Sequence, residues 1–429
     1  MILAYKIFTF ILYPFLFVFL YIRKITKKED PIRFKEKILI SHFRIKKKND
    51  CKLIWFHAAS IGEFKSILPI INKLNKENKN LKFLITTTTL SSGNIASIEL
   101  KSYDNVEHRY FPFDVSFLIN NFILLWKPDS IFLVDSEIWP NLILSAHKNK
   151  IPLAIINARL TSKSFKKWKN FPNTAKKIFG KINLFICSNL ETKNYLNEFK
   201  LKNIYYKGNI KFINQIDVSK DKDINENFLS NNRFWFAASV HKEEDIFCLK
   251  THIKLKEKFK DVVTIIAPRH IERTREIYKL SRKLDLKAQI LNKNQAILNG
   301  KEIIIINYFG ALQNYFKYSK SVFIGKSMIE KLKDNSGQNP IEAAKLNCKI
   351  YHGPFVYNFE EIYKILENNK ISKKIKNDIE LSENLIIDLE NKNKSQIKIS
   401  NTIIHLEHQI MDETMKLVNN FLLYENKQT

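Results

Sequence analysis

The sequence predicts two successive α/β domains, Rossmann-like and facing one another across a cleft, behind a single apolar N-terminal helix. Three observations predict this. Short apolar runs alternate with amphipathic stretches from Leu53 to Tyr206, and the alternation begins afresh at Arg233, which argues for parallel sheets covered by helices on both faces. A length of 429 residues with 45% hydrophobic content exceeds one ordinary core and suits two domains of roughly 200 residues each. Ile2 to Ile22 is almost continuously apolar, and no second run of that length follows. The organisation is then an anchor at 1–28, a first domain at 29–206, a linker at 207–232, a second domain at 233–400, and a final helix at 401–429 that packs back on the first domain.

At about 1.5 Å per residue, the Ile2–Ile22 run can just cross a hydrocarbon core of about 30 Å. Arg23, Lys24, Lys27 and Lys28 follow it directly and place the downstream chain on the cytoplasmic side. A cleaved signal peptide fits less well, because a basic cluster stands where small residues would mark a cleavage site. Lys6 and Pro14 leave open a helix that lies in the interface without spanning it. Removal of residues 1–28 is expected to leave the remaining fold intact.

In the first domain the strand-like pieces are Leu53–Phe56, Leu81–Ile85, Ser130–Val134, Pro152–Ile156 and Leu184–Cys187. In the second they are Phe234–Ala237, Val262–Ala267, Glu302–Ile306, Ser321–Ile324 and Lys349–Tyr351. The polar stretch Asp217–Asp223 marks the seam, and Lys364–Lys394, rich in lysine, asparagine and glutamate, reads as solvated helix or linker. The spacing of Met411, Met415, Leu417, Val418, Phe421 and Leu422 predicts the packed final helix.

The 71 basic and 43 acidic residues leave a formal charge of +28, which calls for an anionic partner. Nucleic acid, an anionic membrane face and a phosphorylated substrate all qualify, but no nucleic-acid-binding module or aromatic-basic stripe is evident. Cys51, Cys187, Cys248 and Cys348 are scattered, without the spacing of a disulfide or zinc framework, and read as small buried residues.

The stretch most suggestive of chemistry runs from Trp55 to Phe64. A buried strand ends at Phe56, small residues and Gly62 follow, and a helix opens with Phe64, Ile67, Leu68, Ile71 and Leu74 on one face. Glu63 thus sits in a first helical turn beyond the carboxyl end of a strand, where open α/β sheets bind ligands. The helix's positive end is expected to keep it ionised and available to accept a proton. The alternative is a first-turn glutamate that stabilises its helix and nothing more.

The wording around Glu63, His57-Ala58-Ala59-Ser60-Ile61-Gly62-Glu63, closely resembles the signature of the transferases of 3-deoxy-D-manno-octulosonic acid (Kdo). The resemblance continues through Thr86–Thr89, Ser136-Glu137-Ile138-Trp139-Pro140-Asn141, Asn157-Ala158-Arg159-Leu160 and Gly208–Phe212. It resumes at Ala237-Ala238-Ser239 with His241 and Glu243-Glu244, then Pro268-Arg269-His270, Asn339-Pro340-Ile341-Glu342 and Gly353-Pro354. These segments keep the family's order over nearly the whole chain. The resemblance implies the GT-B glycosyltransferase fold, CMP-Kdo as donor, and a membrane-borne lipid A precursor as acceptor. Localisation at the cytoplasmic side of a bacterial inner membrane follows from it, with an anionic membrane surface as partner and no nucleic acid.

It further implies that Glu63 is the base of an inverting displacement, with Ser60, Gly62, Glu137 and Lys211 on the substrate side. Pro268, Arg269, Phe309, Gly310, Ala311, Leu312, Asn339, Pro340, Ile341 and Glu342 would contact CMP. Arg269 suits a phosphate because a guanidinium offers a planar fork of donors. Lys211 is placed to approach a phosphate or the Kdo carboxylate, a hinge-region surface lysine being the open alternative. A donor with one phosphate requires no metal to clamp a diphosphate, so no metal and no cofactor is expected. Asp135-Ser136-Glu137 resembles an acidic metal triad, but its setting favours an acceptor-side or structural carboxylate. The chain departs from the family at Asn307–Ala311 and at Ser336-Gly337-Gln338, after an extended loop from Ile329 to Asn335. A different nucleotide-sugar transferase or an epimerase of the same architecture is the rival reading.

Overall fold

The computed structural model describes residues 1–43, 51–213, 224–390 and 401–424, and the chain divides into two compact units. The first comprises Met1–Gln215 and Leu406–Thr429, the second Ile216–His405. The seam stretch Asp217–Asp223, the lysines Lys46 to Lys48 and the end of the Lys364–Lys394 segment lie outside the described residues.

The first unit is built on seven parallel strands: β1 (Lys52–His57), β2 (Leu81–Thr87), β3 (Val106–Tyr110), β4 (Ser130–Val134), β5 (Leu153–Ala158), β6 (Leu184–Cys187) and β7 (Ile204–Tyr206). Their order is β3-β2-β1-β4-β5-β6-β7, with Ile54 of β1 flanked by Phe83 and Ser130. Chain direction through the sheet reverses between β1 and β4, so the carboxyl ends of those two strands form its topological switch point. Central strands carry runs such as Leu53–Phe56 and Ile131–Val134 that are buried on both faces, as parallel sheets require.

The second unit repeats the plan with β8 (Phe234–Val240), β9 (Val263–Pro268), β10 (Ala288–Leu291), β11 (Ile303–Ile306), β12 (Ser321–Ile324), β13 (Lys349–His352) and β14 (Ser372–Lys374). The order is β10-β11-β9-β8-β12-β13-β14, again all parallel, with the switch point between β8 and β12. Every strand read from the sequence is present. Four others, β3, β7, β10 and β14, form the two edges of each sheet.

Two expectations are corrected. The Lys364–Lys394 segment is not merely solvated: its described part forms the Glu360–Asn368 helix, β14 and the Asp378–Leu389 helix. Leu381, Leu385 and Leu389 of that last helix enter the core, so its charged residues are the outer face of an amphipathic element. The N-terminal helix, Ile2–Ile25, is not a segment set apart but packs by one side on the unit that follows it. Leu20 is 1% exposed, Ile2, Tyr13 and Leu16 pack on the core, and Tyr5 Oη donates to Asp114 Oδ2 at 3.0 Å. Cutting at residue 28 therefore uncovers apolar surface of the first unit.

The final helix, Asn401–Tyr424, lies on the first unit from Leu406 onward. Phe421 meets Phe132 of β4 edge-on at 5.2 Å between ring centres, and Lys73 pairs with Asp412 at 2.7 Å. Gly208 leaves no room for a Cβ, because Ile410 occupies that space.

Candidate active site

At the switch point of the first unit, β1 ends at His57 and the Ile61–Glu77 helix begins after Ser60, its N-cap. Ser60 and Glu63 cap reciprocally: Ser60 Oγ accepts from the Glu63 amide at 3.4 Å and donates to Glu63 Oε1 at 2.7 Å. The Ala59 amide donates to Glu63 Oε2 at 2.8 Å. Gly62 is exposed beside it, with open space where a Cβ would stand. Glu63 is half-buried, and its carboxyl is pushed from the ordinary 4.5 up to about 7. Burial is the largest cause, followed by the negative charge of Asp135 and then Glu137, against the opposing hydrogen bonds from Ser60 and Ala59. The helix end alone does not set the ionisation of Glu63, since desolvation and two neighbouring carboxylates outweigh the cap. With its carboxyl near 7, both the ionised and the protonated forms are present at neutral pH.

Asp135 follows β4 in a left-handed conformation, φ +58°, and Asn157 of β5 matches it at +59°. Asn157 Nδ2 donates to Asp135 Oδ1, Lys211 Nζ donates to Asp135 Oδ2 at 2.6 Å, and the Ile210 amide donates to Asn157 Oδ1 at 3.1 Å. Lys211 is thus placed in the first unit, held against Asp135. Glu137 goes elsewhere: its Oε2 accepts from Trp139 Nε1 at 2.7 Å and lies 3.2 Å from His57 Nε2. His57 is fully buried, stacks on Phe111 at 3.9 Å, and places Nδ1 2.9 Å from Thr86 Oγ1. Asp135 and Glu137 therefore have separate partners. Among the described residues no three His, Cys, Asp or Glu side chains are arranged to hold a metal ion.

The threonine run supports the same loop from behind. The Thr88 amide donates to the Ala59 carbonyl at 3.2 Å, and Thr89 caps the Leu90–Glu99 helix in a capping box with Ser92. Ser92 Oγ donates to the Ala59 carbonyl at 3.1 Å. Gly93 of that helix abuts the Tyr110 hydroxyl so closely that no side chain fits.

In the second unit, the carboxyl ends of β8, β9 and β12 bring several of the expected residues together. A bulge at Ser239, φ +57°, bends the end of β8, and the Arg269 amide donates to the Val240 carbonyl at 2.9 Å. Pro268 is buried, whereas Arg269 and His270 are exposed. His241 stands 5.7 Å from His270 between ring centres, and its pKa is lowered to about 4. Burial is the first cause; the positive charges of Lys326, His270, Arg269 and Arg273 follow. This cationic surface is suited to an anion.

Its keystone is Glu244, a residue of the recognised motifs to which the sequence reading assigned no role. Buried to 1% exposure, its two carboxylate oxygens accept from the backbone amides of His241, Lys326, Ser327 and Met328 at 2.7–3.0 Å. One acid so shapes the turn Gly325–Met328 after β12, and Gly325 has no Cβ because Ser239 and Glu244 fill that space. Only the motif wording around His241 and Glu243-Glu244 could have pointed to it.

The remaining expected contacts lie on neighbouring loops. Phe309 is exposed, Gly310 has φ +87°, and buried Ala311 precedes the Leu312–Tyr318 helix. Asn339 Oδ1 accepts from the Ile341 amide at 3.0 Å. Pro340 is the cap residue of the Ile341–Lys345 helix, and Glu342 is half-buried within its first turn. The departures from the family wording are accommodated locally. Ser336 Oγ bridges the Lys333 carbonyl and the Tyr357 amide, Gly337 at φ +83° abuts the Val356 backbone, and Gln338 Nε2 lies 3.5 Å from His241 Nε2. The Ile329–Asn335 insertion is a short helical turn, Glu330–Asn335.

Residues 33–214 match the family model described as 3-deoxy-D-manno-octulosonic-acid transferase (kdotransferase). The chain is 30% identical over 423 residues to the 3-deoxy-D-manno-octulosonic acid transferase of Rickettsia bellii, covering 97% of this chain and 99% of that relative. It is 31% identical over 328 residues to a probable mitochondrial 3-deoxy-D-manno-octulosonic acid transferase of Arabidopsis thaliana, covering 73% and 72%. The UDP-GlcNAc 2-epimerase of Neisseria meningitidis shares the fold, with a TM-score of 0.57 at 13% identity over 87% of this chain and all of that one. Two parallel-sheet units of this topology are the GT-B arrangement. Near-complete coverage by a relative of that name, together with the ordered motifs at both switch points, makes the chain a member of the Kdo transferase family of glycosyltransferases.

Proposed function

We propose that the protein transfers Kdo from CMP-Kdo to the lipid A precursor at the cytoplasmic face of a bacterial inner membrane, with Glu63 as general base. The observation that carries this reading is the Glu63 carboxyl. It is half-buried beyond the carboxyl end of β1, with a proton affinity raised to about 7, where a base both holds and releases its proton at cellular pH. A primary hydroxyl of the acceptor sugar attacks the anomeric carbon of Kdo, and its proton passes to Glu63. The anomeric carbon–oxygen bond to the phosphate breaks from the opposite face, CMP leaves with the electron pair, and configuration inverts. Arg269 and the cationic surface around His241 stabilise the charge gathering on that phosphate. Glu342 and the backbone of Phe309–Leu312 take the nucleoside. Lys211 and Asp135 hold the loop end on the acceptor side. Since the leaving group carries one phosphate, transfer runs on these residues without a metal, and should survive chelation.

Incubating the purified protein with CMP-Kdo and the lipid A precursor, read by mass spectrometry, tests the reading. A product heavier by Kdo, lost in Glu63→Gln and retained with EDTA, is expected. Release of CMP without a sugar-bearing lipid would refute the acceptor.

A further inference from the structure

We infer that the Ile2–Ile25 helix lies flat along the membrane surface, docked on the first unit, and enters one leaflet by its outer face without spanning the bilayer. This rests on the geometry of the helix and holds whichever sugar is transferred.

The helix has two unlike faces. Ile2, Tyr5, Thr9, Tyr13, Leu16, Leu20 and Arg23 recur at helical spacing on the side turned toward the first unit, and each makes a contact there or at the segment leading into it. Tyr5 Oη donates to Asp114, Thr9 Oγ1 accepts from Asn141 Nδ2 at 3.3 Å, and Tyr13 Oη donates to the Ile38 carbonyl at 3.1 Å. Tyr13 meets Phe117 edge-on at 4.9 Å, and Ile2, Leu16 and Leu20 join the core. Arg23 Nε donates to Glu29 Oε1 at 2.7 Å; Glu29 is buried and also pairs with Lys37, whose Nζ donates to the Thr88 carbonyl at 2.8 Å.

Tyr5 and Arg23 stand about 27 Å apart along the helix axis, at roughly 1.5 Å per residue. That separation is close to the full thickness of a hydrocarbon core, about 30 Å. Both ends are nonetheless fastened to the same folded unit. A spanning helix would carry Tyr5 to the far side of the bilayer from Asp114, and would leave that buried acid without its phenol partner.

The opposite face has a composition suited to lipid. Leu3, Ile7, Phe8, Ile11, Phe15 and Val18 are exposed, with no charged residue among them. So large a continuous apolar surface marks an interaction site. Lys24, Lys27 and Lys28 gather at its carboxyl end, the charge arrangement that anionic headgroups attract. The same end connects through Glu29, Lys37 and Thr88 to the Ala59 loop that carries Glu63. The helix thereby holds the Glu63 loop in a fixed relation to the lipid surface.

The test uses the full chain with an epitope ahead of Met1, expressed in a Gram-negative host. In the expected result, protease added to spheroplasts spares the epitope and protease added to inverted inner-membrane vesicles removes it. Removal in spheroplasts would overturn the inference, as would recovery of the chain in the soluble fraction. In a second arm, Phe8→Glu, Phe15→Glu and Val18→Glu are combined; these side chains touch little of the protein, so folding is preserved. The ratio of membrane-bound to soluble protein should fall about tenfold or more, given the cost of charge among acyl chains. Unchanged partitioning would mean that the outer face is not the lipid contact. Neither readout requires turnover, so failure of the transferase reading would appear separately.

Discussion

Replacing Glu63 by Gln separates a base from a helix cap, because the amide keeps the volume and can still meet Ser60 and the Ala59 amide. If the carboxylate takes the acceptor proton, transfer falls by about 10²–10⁴-fold, the usual worth of general-base catalysis. CMP affinity, measured by calorimetry, stays unchanged, because its expected contacts lie on the second unit. The wild-type pH profile carries the same information. With the folded carboxyl at about 7, kcat/KM declines as pH falls through neutrality, since the protonated acid cannot accept. Stability gives an independent reading of opposite sign. Glu63 binds its proton more tightly when folded than when unfolded, so between its ordinary 4.5 and about 7 its contribution worsens as pH rises. Above that range the ionised group destabilises the fold by at most about 3 kcal/mol, and a less perfect cap in the Gln variant returns about 1 kcal/mol of any gain. Glu63→Gln should therefore be more stable than wild type by roughly 1–2 kcal/mol at pH 8, with little or no gain at pH 5, in denaturant titrations. Transfer by the variant at roughly a third of the normal rate or better, against the fall expected for a lost base, would refute the reasoning.

Further outcomes follow from the same geometry. Asp135→Asn removes the largest neighbouring charge acting on Glu63, so the acid limb of the kcat/KM profile should move to lower pH; an unmoved limb would assign it to another group. Arg269→Ala should weaken CMP binding by about 10- to 100-fold in calorimetry, the worth of a charge-assisted hydrogen bond, with the unfolding midpoint unchanged. Gly93→Ala forces a methyl into the Tyr110 hydroxyl and should cost about 1–3 kcal/mol in denaturant titration, without touching CMP affinity. Deleting residues 1–28 should lower the melting temperature as well as release the chain from membranes. Loss of Leu20 burial alone is worth about 2 kcal/mol, so an unchanged melting temperature would show that the docked face contributes nothing.

The central strands of both sheets were legible because a strand buried on both faces must be written as an apolar run, and β1, β4, β9 and β11 are such runs. The strands that escaped, β3, β7, β10 and β14, are the four sheet edges. Val106-Glu107-His108-Arg109-Tyr110 and Ser372-Lys373-Lys374 show why: an edge is kept short and charged, which protects it from pairing with other chains and erases its signature. The position of Glu63 was legible for a local reason, since strand, glycine and helix onset lie within a few residues. Its ionisation was not, because Asp135 and Glu137 reach it from the end of a different strand, and burial is a property of the folded unit. Glu244 was equally hidden: it takes the amides of Lys326, Ser327 and Met328, more than 80 positions away, and nothing local distinguishes it from a helix-start glutamate. The apolar composition of residues 2–22 declared a long apolar helix by itself. Which side packs on the first unit was decided by Asp114, Asn141 and Phe117, since a hydrophobic run has no preferred face until a folded surface offers one partners.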